Sequence, residues 1–373
     1  GACRMKRLCL FVSLLLLCPM LGACSYSYLE RQVYPICMSV ELDGDGRYQV
    51  GIQAPQSSAE QATASYDILT ATGDTLDDAL RVLAASTPYP LNFCQLRLCL
   101  VGYGLAATTP LRPLLRTLFE MPTMRPDAYV MITLGSAAEV MSAQRPDFGM
   151  RLSTHLNLLF ERLRQEDMLP DSTLSACVRE LGDGRRDPLI CICAVNSQLA
   201  PKEGNHQGSS SGGGSGGDGG SGGGGGDSGS PAFAVGEPWS NALLPEQIIA
   251  GMLPHSSVNP VEYLGSAAPS DGRVSGLLTA QETQVALRAL REAEKRVAIS
   301  GDSLQLQLIL SRDTELYDRR DVLAKVMEKL QALDCDALGF CGAASTAFYT
   351  DAEWQAYQFS RRYAQAECVI QSR

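Results

Sequence analysis

Apolar and polar residues alternate over several stretches of this chain, and elsewhere the apolar positions recur every three or four residues. Ile36, Met38, Val40 and Leu42 alternate with polar neighbours, and Asp43-Gly-Asp-Gly46 then offers a turn into residues 47–53, which predicts a hairpin. A calcium loop would need a further ligand where Arg47 stands, so the Asp-Gly repeat reads as a turn. Thr75-Leu-Asp-Asp78 has the form of a capping box and opens a helix striped by Leu76, Ala79, Leu80, Leu83 and Ala84. Residues 96–101, 128–134 and 188–195 read as strands, and Leu152, Leu156, Leu159, Phe160 and Leu163 as a helix stripe flanked by a structural His155.

The second half repeats these signals. Thr279-Ala-Gln-Glu282 is a capping box that opens a helix with the stripe Ala286, Leu290, Ala293 and Val297. Leu304, Leu306, Leu308 and Leu310 have the period of a half-buried strand. Val322, Val326, Leu330 and Leu333 mark another helix. Thr350-Asp-Ala-Glu353 starts the helix carrying Trp354 and Tyr357, and residues 366–371 close as a strand. Helices and strands mix without regular βαβ alternation. The expected class is therefore α+β, with several domains of mixed sheets and packed helices.

Between the halves, residues 204–230 hold fifteen of the 35 glycines, with serine and two aspartates. Such a segment cannot bury apolar area, so a disordered insert is expected. Gly213-Gly-Ser215-Gly-Gly217 within it matches the pattern of a nucleophile elbow, but an elbow needs a rigid strand-to-helix turn, and the match reads as composition. The expected division is a leader at 1–23 (1–4, before Met5, being extraneous), an N-terminal α+β region of two domains at 24–200, a Gly/Ser-rich linker at 201–238 and a C-terminal α+β domain at 239–373.

Composition narrows the chemistry. A net charge of −10 argues against nucleic acid and against a polybasic grip on lipid, while 45% hydrophobic content supports real cores. Nine of the thirteen cysteines lie beyond residue 24, an odd number that excludes a complete disulfide set within one chain. Most read as small buried hydrophobes, with Cys191 and Cys193 on one strand face. With no CxxC pair and three histidines, no metal site is expected. Gly102-Tyr-Gly104-Leu-Ala-Ala107 follows a strand as a dinucleotide turn would, but Pro110 and Pro113 interrupt what should be a long helix. It reads as an ordinary turn; neither cofactor nor catalytic residues are expected.

The N-terminus carries a tether signal. Lys6 and Arg7 precede an apolar run at 8–20, shorter than the roughly 20 residues of a spanning helix. Leu21-Gly-Ala-Cys24 closes it and resembles the bacterial lipobox, which implies a diacylglyceryl group on Cys24 as the membrane anchor.

Further blocks, in order, resemble the Ger(x)C family of spore-germination lipoproteins. They are Tyr66-Asp-Ile-Leu-Thr-Ala-Thr-Gly73-Asp-Thr75, then Arg125-Pro126 leading a strand, then Leu264-Gly265 with Val274-Ser-Gly276 and Glu282, and finally Asp336-Ala-Leu-Gly339-Phe340 with Trp354 beyond. The chain departs from the family pattern at Ser25-Tyr26, where Trp-Asp is usual, and at Cys341, where glycine is common. The resemblance implies a lipid-anchored C subunit of a germinant receptor on the extracytoplasmic face of the spore inner membrane. It would work with A and B membrane subunits in nutrient-triggered germination, without catalysing a reaction. A solute-binding lipoprotein of an ABC transporter is the alternative, although strand-led halves joined by floppy glycine would hinge poorly. A tethered hydrolase comes third, since neither His155 nor His255 sits in a recognisable motif.

Overall fold

The structure, a computed structural model, describes residues 31–56, 66–146, 149–196, 248–253, 259–300 and 303–373. Residues 1–30, which include the expected leader and Cys24, and the glycine-rich stretch lie outside the described residues.

Eight strands form one sheet in the order β3-β2-β1-β4-β5-β6-β7-β8. They are β1 (Cys37–Leu42), β2 (Tyr48–Pro55), β3 (Tyr66–Gly73), β4 (Leu98–Gly102), β5 (Tyr129–Leu134), β6 (Ile190–Val195), β7 (Val261–Ser270) and β8 (Arg273–Leu278). The four central strands β1, β4, β5 and β6 are parallel, and both flanks are antiparallel. Parallel neighbours need crossovers, and helices supply them. On one face α1 (Leu76–Ala85), α2 (Tyr103–Thr108), α3 (Leu111–Phe119) and α6 (Leu174–Asp183) cover Met38, Val40, Cys99, Val101, Ile132 and Ile192. On the other, α4 (Ala137–Ala143) and α5 (Leu152–Gln165) cover Cys37, Leu100, Met131, Cys191 and Cys193. Burial on both faces explains why β4 and β6 are unbroken apolar runs, whereas β1 keeps polar Ser39 in alternation. The hairpin turn forms as read: the Asp43 carboxylate accepts the Asp45 and Arg47 amides at 3.0 and 2.9 Å.

A second sheet, β11-β10-β9, is built from β9 (Glu294–Ser300), β10 (Ser303–Leu310) and β11 (Glu367–Ser372). The β10 leucines face inward beneath α7 (Ala280–Glu292) and α9 (Arg320–Ala332), while Gln305 and Gln307 lie on the open face. Short helices complete this half: α8 (Glu315–Asp318), α10 (Phe340–Ser345), α11 (Asp351–Tyr357) and α12 (Phe359–Tyr363). The fold is α+β. One expected stripe is too long, because α7 stops at Glu292 and Ala293 turns extended, so Val297 belongs to β9.

Strands β7 and β8 follow the glycine-rich stretch in sequence, yet they extend the sheet begun before it. Past that stretch the chain first completes the large sheet and only then, through α7, builds the small one.

Candidate functional site

The motif blocks do not converge on one reactive centre. Several of them meet where the two sheets join, and that joint is the candidate site.

Its centre is a reciprocal contact between the α6–β6 loop and the segment leading into α10. The Asp187 amide donates to the Asp336 carbonyl at 3.2 Å, and the Asp336 amide donates back to the Asp187 carboxylate at 2.8 Å. The Asp336 carboxylate turns the other way and accepts the amides of Gly339, Phe340 and Cys341 at 3.1, 2.9 and 2.5 Å. These amides are the unpaired donors that every helix start presents. Gly339 makes the turn with φ +81, and a β-carbon there would meet the Arg186 side chain at 3.6 Å. Phe340, fully buried, anchors the segment in the core of the small-sheet half. Gly342 donates its amide to the Arg185 carbonyl at 3.0 Å, and the Cys341 thiol reaches the Gly184 carbonyl at 3.1 Å.

Burial of two carboxyls here has an electrostatic cost. Desolvation pushes Asp336 up to about 7, tempered by its three backbone donors and raised further by Asp187. Burial likewise pushes Asp187 up to about 6, with Asp334 and Asp271 adding like charge.

Other motif positions shape the same joint. Gly276 in β8 lets α9 close in: a β-carbon there would lie 2.5 Å from Leu333 Cδ2, and the Ser275 hydroxyl next to it donates to the Leu333 carbonyl at 3.1 Å. Gly265, at φ +86, sits where a β-carbon would lie 2.6 Å from the Leu278 carbonyl oxygen. Glu282 completes the capping box with Thr279 and also accepts the Lys329 ammonium at 2.6 Å, tying α7 to α9.

The remaining motif residues lie elsewhere. Gly73 and Thr75 close the β3–α1 corner, with the Thr75 hydroxyl accepting the Asp78 amide at 3.1 Å. Arg125 makes a two-point ion pair with Asp127 at 2.5 and 2.7 Å ahead of β5, and the carbonyl of Pro126 accepts the Ser175 amide at 2.9 Å. Trp354 belongs to an aromatic cluster, its ring 5.4 Å from Phe348 and 5.7 Å from Phe359. Cys24 lies outside the described residues.

Sequence reading missed a second fastening of the joint. Asp167, after α5, has a nearly buried carboxylate that accepts from Arg291 and, at 3.3 Å, from Arg288, both on α7. Beside it Gln284 donates to the Glu166 carbonyl at 3.1 Å. Asp167 adopts φ +56, unusual for a residue with a side chain. No local pattern announces this contact; only the positive φ after a helix hints at a special position.

The dinucleotide-like turn lies beside a carboxylate of the protein itself. β4 and β5 send their chains to opposite sheet faces, the arrangement that opens a ligand crevice at strand ends. There the Glu41 carboxylate accepts the Ala137 and Ala138 amides at 2.8 and 3.0 Å and the Ser136 hydroxyl at 3.0 Å. Gly102 makes room for it, since a β-carbon there would stand 2.8 Å from the Glu41 β-carbon. The carboxylate thus caps α4, the helix after β5, and not α2, the helix that the glycine turn opens.

Six of the cysteines after residue 24 are buried: Cys37, Cys99, Cys177, Cys191, Cys193 and Cys335. Burial raises their thiols far above the ordinary range, Cys99 to about 12, so they are packing residues. Among the described residues no group of three His, Cys, Asp or Glu could hold a metal ion, and no helix is long and apolar enough to cross a membrane.

Residues 25–195 match the spore germination protein N-terminal domain. No curated protein matches the chain at a significant level. A crystal structure of the GerBC protein is similar at 11% identity and a TM-score of 0.45, over 90% of this chain and 95% of that one. The match over residues 25–195 supports the resemblance to the Ger(x)C family of spore-germination proteins that the ordered blocks carry.

Proposed function

We propose that this protein is the lipid-anchored, extracytoplasmic C subunit of a spore nutrient-germinant receptor. In this reading a diacylglyceryl group on Cys24 pins it to the outer leaflet of the spore inner membrane. There it works through contacts with A and B membrane subunits, catalyses no reaction, and is required for nutrient-triggered germination. The observation that carries the reading is that the germination-domain match starts at residue 25, immediately after the lipobox-like Leu21-Gly-Ala-Cys24. A lipoprotein cut before Cys24 would begin its folded body there. The geometry agrees with a contact protein: its carboxylates cap helices or fasten the joint, and its buried thiols are protonated.

The test is made in the spore. Cys24→Ala should abolish lipid labelling and release the mature chain from membranes, and spores lacking the gene should form normally but respond poorly to one class of nutrient. A Cys24→Ala protein that stays membrane-bound without lipid would refute the anchor. Unaltered germination across a broad nutrient panel, in a strain without paralogues, would refute the receptor role.

A further inference from the structure

An open cleft of about 360 Å³ lies beside the joint, with one wall from each half of the molecule. The second half of α6 and the loop after it contribute Arg179, Arg185 and Arg186; β9 contributes Lys295, and the start of α10 contributes the bare backbone of Gly339 and Gly342. Two carboxylates, Glu180 and Asp183, share the lining. Four cations therefore face two anions, on a chain whose net charge is −10.

The local pairs do not cancel this surplus. Glu180 is nearly buried and is shared by Arg179, at 3.5 Å, and Arg186. Among the described residues, neither the Arg185 guanidinium nor the Lys295 ammonium makes an ion pair; Lys295 donates only to the Leu290 carbonyl, at 3.2 Å. Burial holds Lys295 below its ordinary pKa and the Arg186 charge lowers it further, against a smaller opposing pull from Asp336. Asp336 is the carboxyl behind that wall, but its oxygens are spent on the α10 amides and it titrates near neutrality, so it offsets the surplus poorly. A half-buried cation facing another, with no ion pair of its own, is an arrangement that an anion stabilises.

We infer that this cleft binds a small, multiply charged oxyanion, a compound bearing carboxylate or phosphate groups, held by Arg185 and Arg186 on one side and Lys295 on the other. The volume suits such a molecule, falling at the small end of the range for ligand sites. The polar, open lining suits a hydrated anion rather than an apolar ligand. Guanidinium groups grip carboxylate and phosphate oxygens in two-point fashion, and the side-chain-free glycines let the ligand approach the backbone. Because the walls belong to different halves, a bound anion would bridge them and favour their docked arrangement.

The experiment is calorimetric titration of the full chain in detergent, at low ionic strength, with citrate and inorganic phosphate as probes and a thermal melt alongside. Saturable binding of either probe in the millimolar range or tighter is expected, with a rise in Tm. Arg185→Glu should weaken it at least about tenfold, the loss of one charge-assisted contact. Lys295→Met should do the same, while the distant Arg361→Ala changes nothing. Arg185 is exposed, so its variant keeps the test decisive even if Lys295→Met folds poorly. Citrate tighter than phosphate would assign a carboxylate ligand, the reverse order a phosphate one. No saturable binding, or binding undiminished in Arg185→Glu, would overturn the inference. This outcome is independent of the receptor reading, which is tested in spores.

Discussion

At Gly73 a β-carbon would stand 2.4 Å from the Ala79 amide nitrogen and 2.8 Å from the Asp78 carbonyl carbon. Backbone cannot yield as a side chain can, so α1 packs onto the end of β3 only because this residue is glycine. Gly73→Ala should destabilise the fold by about 1–3 kcal/mol, the range for overpacking. Gly276→Ala should cost less, because the atoms in its way belong to the Leu333 side chain. Urea unfolding of the two variants would check the order; equal losses would contradict it. Asp336 carries a different kind of cost. Its carboxyl is raised to about 7 and that of Asp187 to about 6, so the folded state holds these protons more tightly than the unfolded chain does. Their contribution to stability is complete below the ordinary aspartate value of 3.8 and is lost as pH rises through about 6 and 7. Asp336→Asn removes one of these titrations and one acceptor for the α10 amides. Its Tm should fall furthest below wild type near pH 4 and least near pH 7; a gap that widens with pH would show that the charged form is the stabilising one.

Among elements, the legible ones were those whose instructions sit close together in the chain. Thr279 with Glu282 and Thr350 with Glu353 both form complete capping boxes, since donor and acceptor are three residues apart and need no tertiary context. The alternating leucines of β10 face one core, as a period of two requires. The end of α7 was not legible, because Val297 continues the helical spacing and only the turn at Ala293 breaks it. The fastening of α7 by Asp167 was equally hidden, its partners being more than a hundred positions apart. That fastening makes a prediction at this scale. Asp167→Ala leaves Arg288 with Glu315 but removes the link from the α5 end to α7, at a cost of roughly 1–3 kcal/mol for charge-assisted hydrogen bonds. Amide exchange should quicken in α7 while the central strands β1, β4 and β5 stay protected. Uniform quickening throughout would mean that the two halves unfold as one unit and the clasp is not local.

For the whole molecule, the decisive fact is that one sheet is assembled from sequence on both sides of the glycine-rich stretch. β6 pairs with β7 antiparallel, and the chain returns close to the point where it left: the Asn196 amide donates to the Pro260 carbonyl at 2.7 Å, and its side chain donates to the Leu253 carbonyl at 2.6 Å and to Glu262 at 2.7 Å. Glu262, buried beside these groups, also accepts the Gly251 amide at 2.6 Å. The ends of the connection are therefore held together by the fold itself. Composition pointed to a linker between an N-terminal region and a C-terminal domain, because a glycine tract carries no sign of which strands it joins. Deleting residues 204–230 roughly halves the connection, and for a chain segment that makes no contacts of its own halving the length reduces the closure cost by only about 0.6 kcal/mol. The shortened protein should unfold in a single transition, with stability equal to wild type or higher by less than about 1 kcal/mol. Urea denaturation followed by tryptophan fluorescence in a Trp239→Phe background and by far-ultraviolet dichroism would measure this, since Trp354 then reports on the small-sheet half and dichroism on the whole. A loss of several kcal/mol, or two separated transitions, would mean that the stretch contributes contacts and is more than a closing loop.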